Sequence, residues 1–345
     1  MFHYFIRRML LIIPTFLGIT VLVFVMTRFV PGGPIETLLQ QKAMSAGTEG
    51  GKGSRRMAQD SQPLGEKQME QLKKYYGFDK PPLVSYVYWL GKVVTGDLGR
   101  STKYNDEVKK TIVSKFPVSL RFGIVSVILI YMISIPLGIK KALKHRSAFD
   151  NISSVAVFVG YAIPGYTVAL ILMAFFAVKL NWFPIGGLTS DQMLRDVMNP
   201  AEKLWDSVLH MILPMIAYVL GGFATLTISM KNNLMENMAA DYVKTAVAKG
   251  LTFKDAMWKH AFRNSIIPIA SGLGGLISIF LSGSFLIENI FNIRGMGMLG
   301  YTSIIDRDYP VVMGILVFTA FLTLLGNIIS DFILSLVDPR IRLGK

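Results

Sequence analysis

Side chains able to do covalent or metal chemistry are few in this sequence of 345 residues, and their spacing does not suit such chemistry. His3, His145, His210 and His260 are scattered, and none belongs to an H-E-x-x-H pair that would hold a metal on one helix face. No G-x-S-x-G elbow presents a serine nucleophile, and the absence of cysteine excludes thiolate chemistry and disulfides. No catalytic, metal-binding or cofactor-binding residue is assigned. Gly50-Gly51-Lys52-Gly53-Ser54 superficially suggests a phosphate loop. No glycine sits five residues before Gly51 and no strand leads into it, so it reads as a solvated linker.

The residues with an interpretable pattern lie between Asn232 and Asn264. Asn237 to Lys249 is helix-forming, and Gly250 follows where a left-handed C-terminal cap belongs. Thr252 is then an N-cap with Asp255 three residues on, which completes a capping box. Two short helices joined by a glycine turn are predicted. Phe253, Ala256, Met257, His260 and Ala261 share one face of the second helix, while Ala239, Ala240, Ala246 and Ala248 keep the first one slim. An amphipathic hairpin of this kind suits a groove on another protein better than a cover over a pore.

The elements around it are apolar helices. Apolar residues make up 52% and charged residues 17%, and the charges crowd into short segments. Charge-free runs extend from Met9 to Thr27, Phe122 to Ile139, Ile152 to Val178, Ser207 to Met230, Ser265 to Ile287 and Val311 to Ser330. Each approaches the ~20 residues that a helix needs to cross ~30 Å of hydrocarbon, where backbone groups must bond internally. Six spans are expected. The first is read as retained, because it is long for a signal peptide and Val30-Pro31-Gly32-Gly33-Pro34 lacks a small-x-small cleavage site.

Lys and Arg set the orientation, since cytoplasmic loops carry the excess of positive charge. Arg7 and Arg8 precede span one, Lys140, Lys141, Lys144 and Arg146 follow span two, and Lys231 to Arg263 follows span four. These segments and both termini are assigned to the cytoplasm. The loops holding Asp191, Asp196, Glu202 and Asp206, and Glu288, Asp306 and Asp308, are more acidic and are assigned outside. The net charge of +14 is thus a topology signal, and no soluble basic domain exists to bind nucleic acid.

The expected organisation is a tail and first helix over 1–30, an extracytoplasmic segment over 31–117 and a core of five helices over 118–345, with the hairpin at 237–264. Residues 40–62 have the composition of a flexible loop. Leu64 to Tyr76, followed by Tyr86, Tyr88 and Trp89, reads as short amphipathic helices on the outer membrane face or as a docking surface. Pro164 disfavours helix at Ile163, so span three should kink there, which puts Tyr161, Pro164 and Tyr166 at a helix interface or near a passage. Gly274, Ser278 and Ser282 align small residues on one face of span five, for helix packing or to line that passage.

The string Asp241-Tyr242-Val243-Lys244-Thr245-Ala246-Val247-Ala248-Lys249-Gly250-Leu251, continued by His260-Ala261-Phe262-Arg263-Asn264, resembles the coupling segment of ABC-importer permeases of the dipeptide and oligopeptide class. Against the generic pattern E-A-A, three residues, G, then I-x-L-P, Lys244 replaces the Glu and Arg263 the final Pro, departures that the peptide class shares. Tyr4-Phe5-Ile6-Arg7-Arg8, Tyr76-Gly77-Phe78-Asp79-Lys80-Pro81, Arg307-Asp308-Tyr309-Pro310 and Val337-Asp338-Pro339-Arg340-Ile341 extend the similarity over the whole chain. Gly33, Gly160-Tyr161-Ala162-Ile163-Pro164 and Met257-Trp258-Lys259-His260 look most like the Yej-type permease, the B subunit of importers of oligopeptides and microcin C.

The resemblance implies an all-α integral membrane fold with six transmembrane helices in the bacterial inner membrane, a large extracytoplasmic segment after the first and a cytoplasmic coupling hairpin between the fourth and fifth. It also implies a second homologous permease, two cytoplasmic ABC ATPase domains that hold ATP and Mg, and an extracytoplasmic peptide-binding protein, with lipid around the spans. Asp241, Tyr242, Lys244, Thr245, Ala246, Ala248, Lys249, Gly250, Leu251, Phe253, His260, Arg263 and Asn264 become the candidate ATPase-coupling residues. The alternative is an ion-coupled secondary transporter, which usually has internal repeats and buried mid-membrane carboxylates. Asp331 is the best such candidate, but it lies toward the inner end of span six.

Overall fold

The computed structural model describes residues 2–29, 80–276 and 283–337. Among them the only extended pairing is an isolated bridge between Arg100 and Glu107, and the rest of the regular structure is helical. In chain order the helices are α1 (Phe2–Phe29), α2 (Pro82–Val94), α3 (Val108–Leu143), α4 (Ala148–Ala162), α5 (Gly165–Leu172), α6 (Gln192–Val197) and α7 (Pro200–Ala239). They continue with α8 (Asp241–Ala248), α9 (Phe253–Ala256), α10 (Phe262–Ser271), α11 (Phe285–Ile290), α12 (Met296–Ile305) and α13 (Tyr309–Val337). Met173–Lys179 and Met257–Ala261 extend α5 and α9 as wider π turns.

Three of these, α3, α7 and α13, are long and apolar enough to cross a bilayer. The α4–α5 pair passes the same test only as a broken unit, bent by 96°. The break falls at the expected proline: Ile163 is extended (φ −89°, ψ 123°), as is favoured for a residue before proline, and Pro164 is the N-cap residue of α5. Helix α1 covers the first expected span and holds the apolar stretch Met9–Val25. The fifth falls on α10, residues 273–276 and α11, with 277–282 outside the described residues. The loop at 40–62 and the helices expected over Leu64 to Tyr76 also lie outside them.

The chain divides into two compact units. In the larger (Met1–Leu11, Lys115–Leu299 and Phe321–Lys345), α7 is the axis, packed by α4, α5 and α10. It starts from a reciprocal capping box: Asn199 Oδ1 accepts from the Glu202 N–H (2.9 Å) and Glu202 accepts from the Asn199 N–H (2.8 Å). With 40 residues it is about 60 Å long, twice the hydrocarbon thickness, so it extends well beyond the bilayer. Helix α3 lies against it through small residues. A Cβ on Gly138 would come within 2.7 Å of the Met230 side chain, and one on Gly222 within 2.6 Å of Ile130. Two hydroxyls of α3 are satisfied across helices: Ser134 donates to the Phe223 carbonyl (3.0 Å) and Tyr131 to that of Ile269 (2.9 Å).

In the smaller unit (Ile12–Ser114 and Gly300–Ala320), Tyr86 and Trp89 of α2 pack their rings around Phe24, and the Tyr86 hydroxyl meets that of Thr20 at 3.0 Å. Tyr88, which is exposed, has the ammonium groups of Lys80 and Lys92 over its ring, 4.9 and 5.0 Å from the centroid. The sequence reading placed this stretch on the outer membrane face or at a docking surface; within the chain, Tyr86 and Trp89 pack α2 against α1. Asp308 is fully buried. Its carboxylate accepts from the Ser101 hydroxyl and from the Thr102 N–H (3.1 Å), so Arg307-Asp308-Tyr309-Pro310 anchors the 101–103 turn.

Candidate coupling surface

At Ala240 the backbone turns extended (φ −68°, ψ 147°) and α7 ends. The first hairpin helix is therefore α8, starting at Asp241 rather than at Asn237; residues 237–239 belong to the long helix. The Tyr242 hydroxyl donates to Asn237 Oδ1 (2.5 Å) across the break. Helix α8 ends in a Schellman motif, with the Gly250 N–H donating to the Val247 carbonyl (2.9 Å) and the Leu251 N–H to that of Ala246 (3.2 Å). Gly250 has φ +98°, which a side chain would strain. Thr252 then caps α9 by accepting from the Asp255 N–H (3.1 Å), and its hydroxyl donates to the Asp255 carboxylate (2.6 Å).

The hairpin is built into the core of the larger unit. Val243, Ala246, Ala256, Met257 and Ala261 are buried in the cluster that also contains Met230 and Leu234. This corrects the expected docking face: Ala256, Met257 and Ala261 face inward, Ala246 is only 8% exposed, and Phe253 points out. Phe253 stands at the first position of α9, directly after the Thr252 cap, and is turned away from the core, whereas Ala256, Met257 and Ala261 keep to one buried face through the wider turn at Met257–Ala261. The outward apolar groups are Tyr242, Val247, Phe253 and Trp258. Trp258 had no role in the sequence reading of the coupling face.

Between the two arms lies a concavity of about 630 Å³ lined by Tyr242, Thr245, Ala246, Lys249, Leu251, Lys259, His260, Arg263 and Asn264. All but Lys259 are among the candidate coupling residues. Asp241, Lys244, Ala248, Gly250 and Phe253 lie outside its lining. Lys249, Lys259 and Arg263 make it basic. On the adjoining surface Lys244 Nζ is 2.9 Å from Asp241 Oδ1, and this hydrogen bond holds the Asp241 carboxyl below its usual value.

The other candidates are not brought to this surface. Tyr161 and Tyr166 are exposed on either side of the bend. A Cβ on Gly274 would stand 1.9 Å from the Gly326 carbonyl oxygen, which makes it a point of close helix approach. Ser278 and Ser282 lie outside the described residues.

A family described as the inner membrane component of binding-protein-dependent transport systems matches residues 134–343, more than half of the chain. The chain belongs to this family. Among similar permeases, the peptidoglycan transport system permease protein YejB of Agrobacterium fabrum is 38% identical, over 98% of this chain and 97% of its own. The inner membrane ABC transporter permease protein YejB of Escherichia coli O157:H7 is 38% identical over 98% of both chains. The oligopeptide transport system permease protein AppB of Bacillus subtilis is 35% identical, again over 98% of each.

Three acids that the sequence reading counted as charges of the outside loops, Glu288, Asp206 and Asp308, are buried. Glu288 is 1% exposed; it accepts from the Met298 N–H (2.7 Å) and the Tyr218 hydroxyl (3.3 Å). Asp206 accepts from the Ser190 hydroxyl (2.5 Å), and Asp308 anchors the turn described above. One signal was available. Gly283, Gly295 and Gly297 flank Glu288, and a Cβ on Gly295 would come within 2.8 Å of its carboxyl.

Proposed function

We propose that this permease forms half of the translocation pathway of a peptide-importing ABC transporter and that its hairpin, Asp241 to Asn264, docks into a groove on a cytoplasmic ATPase. The observation that carries this reading is a hairpin rooted in the bundle core through Val243, Ala246, Met257 and Ala261, with Phe253 and Trp258 turned outward. Because α7 is continuous from the membrane to Ala239, a push on the hairpin moves a membrane helix. The basic concavity beside it calls for acidic groups on the ATPase surface. ATP and Mg belong to that partner; this chain supplies the moving walls.

On this reading the chain has six spans, both termini in the cytoplasm of the inner membrane and residues 31–117 outside, where a peptide-binding protein delivers its cargo. A second, homologous permease completes the passage, and the bend at Pro164, with Tyr161 and Tyr166, together with Gly274, Ser278 and Ser282, belongs to its walls or helix contacts. The names of the relatives, oligopeptide and peptidoglycan permeases among them, support peptides or peptide-bearing fragments as cargo. Vesicles holding the permease and its co-purifying subunits test it: labelled peptide must accumulate with ATP and not with a pH gradient alone. Uptake driven by the pH gradient without ATP overturns the reading.

A further inference from the structure

Away from the hairpin, three charge-free runs end at one level. Lys141 lies just after the second expected span, Asp150 just before the third and Lys231 directly after the fourth, and these three side chains meet. Lys231 Nζ contacts both carboxylate oxygens of Asp150, at 2.7 and 2.8 Å. Lys141, 1% exposed, directs its ammonium to the Ser153 and Ser154 hydroxyls (2.9 and 2.7 Å) and the Asp150 carbonyl (3.0 Å), with Asp150 Oδ1 at 3.2 Å. Two ammonium groups against one carboxylate leave a positive charge at the membrane boundary. Lys140 and Lys144, stacked over the Phe149 ring, add to it.

A cavity of about 400 Å³ opens beside this cluster. Lys141 and Lys231 border it, and the rest of its wall includes Val155, Val157, Phe158 and Ile228. Val155, Phe158 and Ile228 are exposed on helices that hydrocarbon must surround. Lys231 has a third donor beyond the two that Asp150 takes, and its side chain is still 14% exposed.

We propose that the notch between α3, α4 and α7 binds one anionic phospholipid, its phosphate on Lys231 and an acyl chain along Val155, Phe158 and Ile228. A basic pocket between transmembrane helices at the headgroup level has the chemistry for such a lipid: a negative phosphate neutralises the excess cation while the chain covers the apolar wall. A zwitterionic headgroup satisfies only the second requirement. A water-soluble phosphate ester satisfies only the first.

The test is native mass spectrometry of the full-length permease, purified with its co-eluting subunits in a non-ionic detergent and titrated separately with phosphatidylglycerol, phosphatidylcholine and glycerophosphoglycerol. One phosphatidylglycerol is expected to bind more tightly than either of the others. Lys231→Gln should weaken it by about fivefold, the factor that one basic residue contributes toward an anionic membrane. Ile228→Trp, which fills the cavity and leaves the charge cluster intact, should remove the site and decides the matter if Lys231→Gln does not assemble. Equal binding of phosphatidylcholine, equal binding of glycerophosphoglycerol, or unchanged phosphatidylglycerol binding in Ile228→Trp overturns the proposal.

Discussion

Replacing Gly250 with valine tests whether the hairpin's shape matters as the account requires. A Cβ built on Gly250 meets no atom within 4 Å, so the effect of the substitution is chiefly backbone strain. At φ +98° that strain amounts to about 1–2 kcal/mol for an L-residue and is greatest for a β-branched one. The population of the closed turn relative to the open one then falls by roughly 5- to 30-fold. The Leu251 amide reports it directly, because its hydrogen bond to the Ala246 carbonyl exists only in the closed turn. Hydrogen exchange at Leu251 should accelerate by that factor in Gly250→Val, and peptide-stimulated ATPase activity and uptake should fall together. Gly250→Asn, whose side chain tolerates the left-handed region, should stay near the parent. Wild-type uptake by Gly250→Val, with the faster exchange observed, would refute the claim that a closed hairpin couples the two processes. Ala246→Glu is a poorer probe: Ala246 is buried in the core, so the charge would disturb folding before docking.

Three further outcomes are expected. Gly274→Val, forced against the Gly326 carbonyl, should cost about 1–3 kcal/mol or more and lower the thermal midpoint in detergent, whereas a normal midpoint with altered uptake would make Gly274 a pathway residue instead. Glu288→Ala removes the acceptor for the Met298 N–H, a loss of about 1–3 kcal/mol that should appear as a lower midpoint; an unchanged midpoint would contradict its anchoring role. Pro164→Ala should relax the 96° bend and reduce uptake while the subunits still co-purify, and unchanged uptake would show the bend to be incidental.

What the sequence could and could not reveal follows the range of each interaction. The turn at Gly250, the N-cap at Thr252 and the break at Pro164 depend on neighbours within a few residues, and all three stand where the residue types indicated. The spans of α3, α7 and α13 follow from unbroken apolar runs. Buried acids depend instead on distant partners: Glu288 meets Ser119 from 169 residues away and Asp308 meets Ser101 from 207, and no local pattern separates them from exposed loop charges. The facing of Phe253 is likewise not a local property: at the first position of α9 it shares the apolar spacing of Ala256 and Met257, yet the core cluster that takes them in does not include it.

The central claim is contact between this hairpin and an ATPase. Since the chain has no cysteine, Phe253→Cys gives a single thiol on the outward surface, and a benzophenone-maleimide attached there can be photolysed in the purified assembly. The account predicts that the cross-linked product contains a chain with a nucleotide-binding ATPase domain. A product free of any ATPase, from an assembly that retains its ATP-driven uptake, would contradict it.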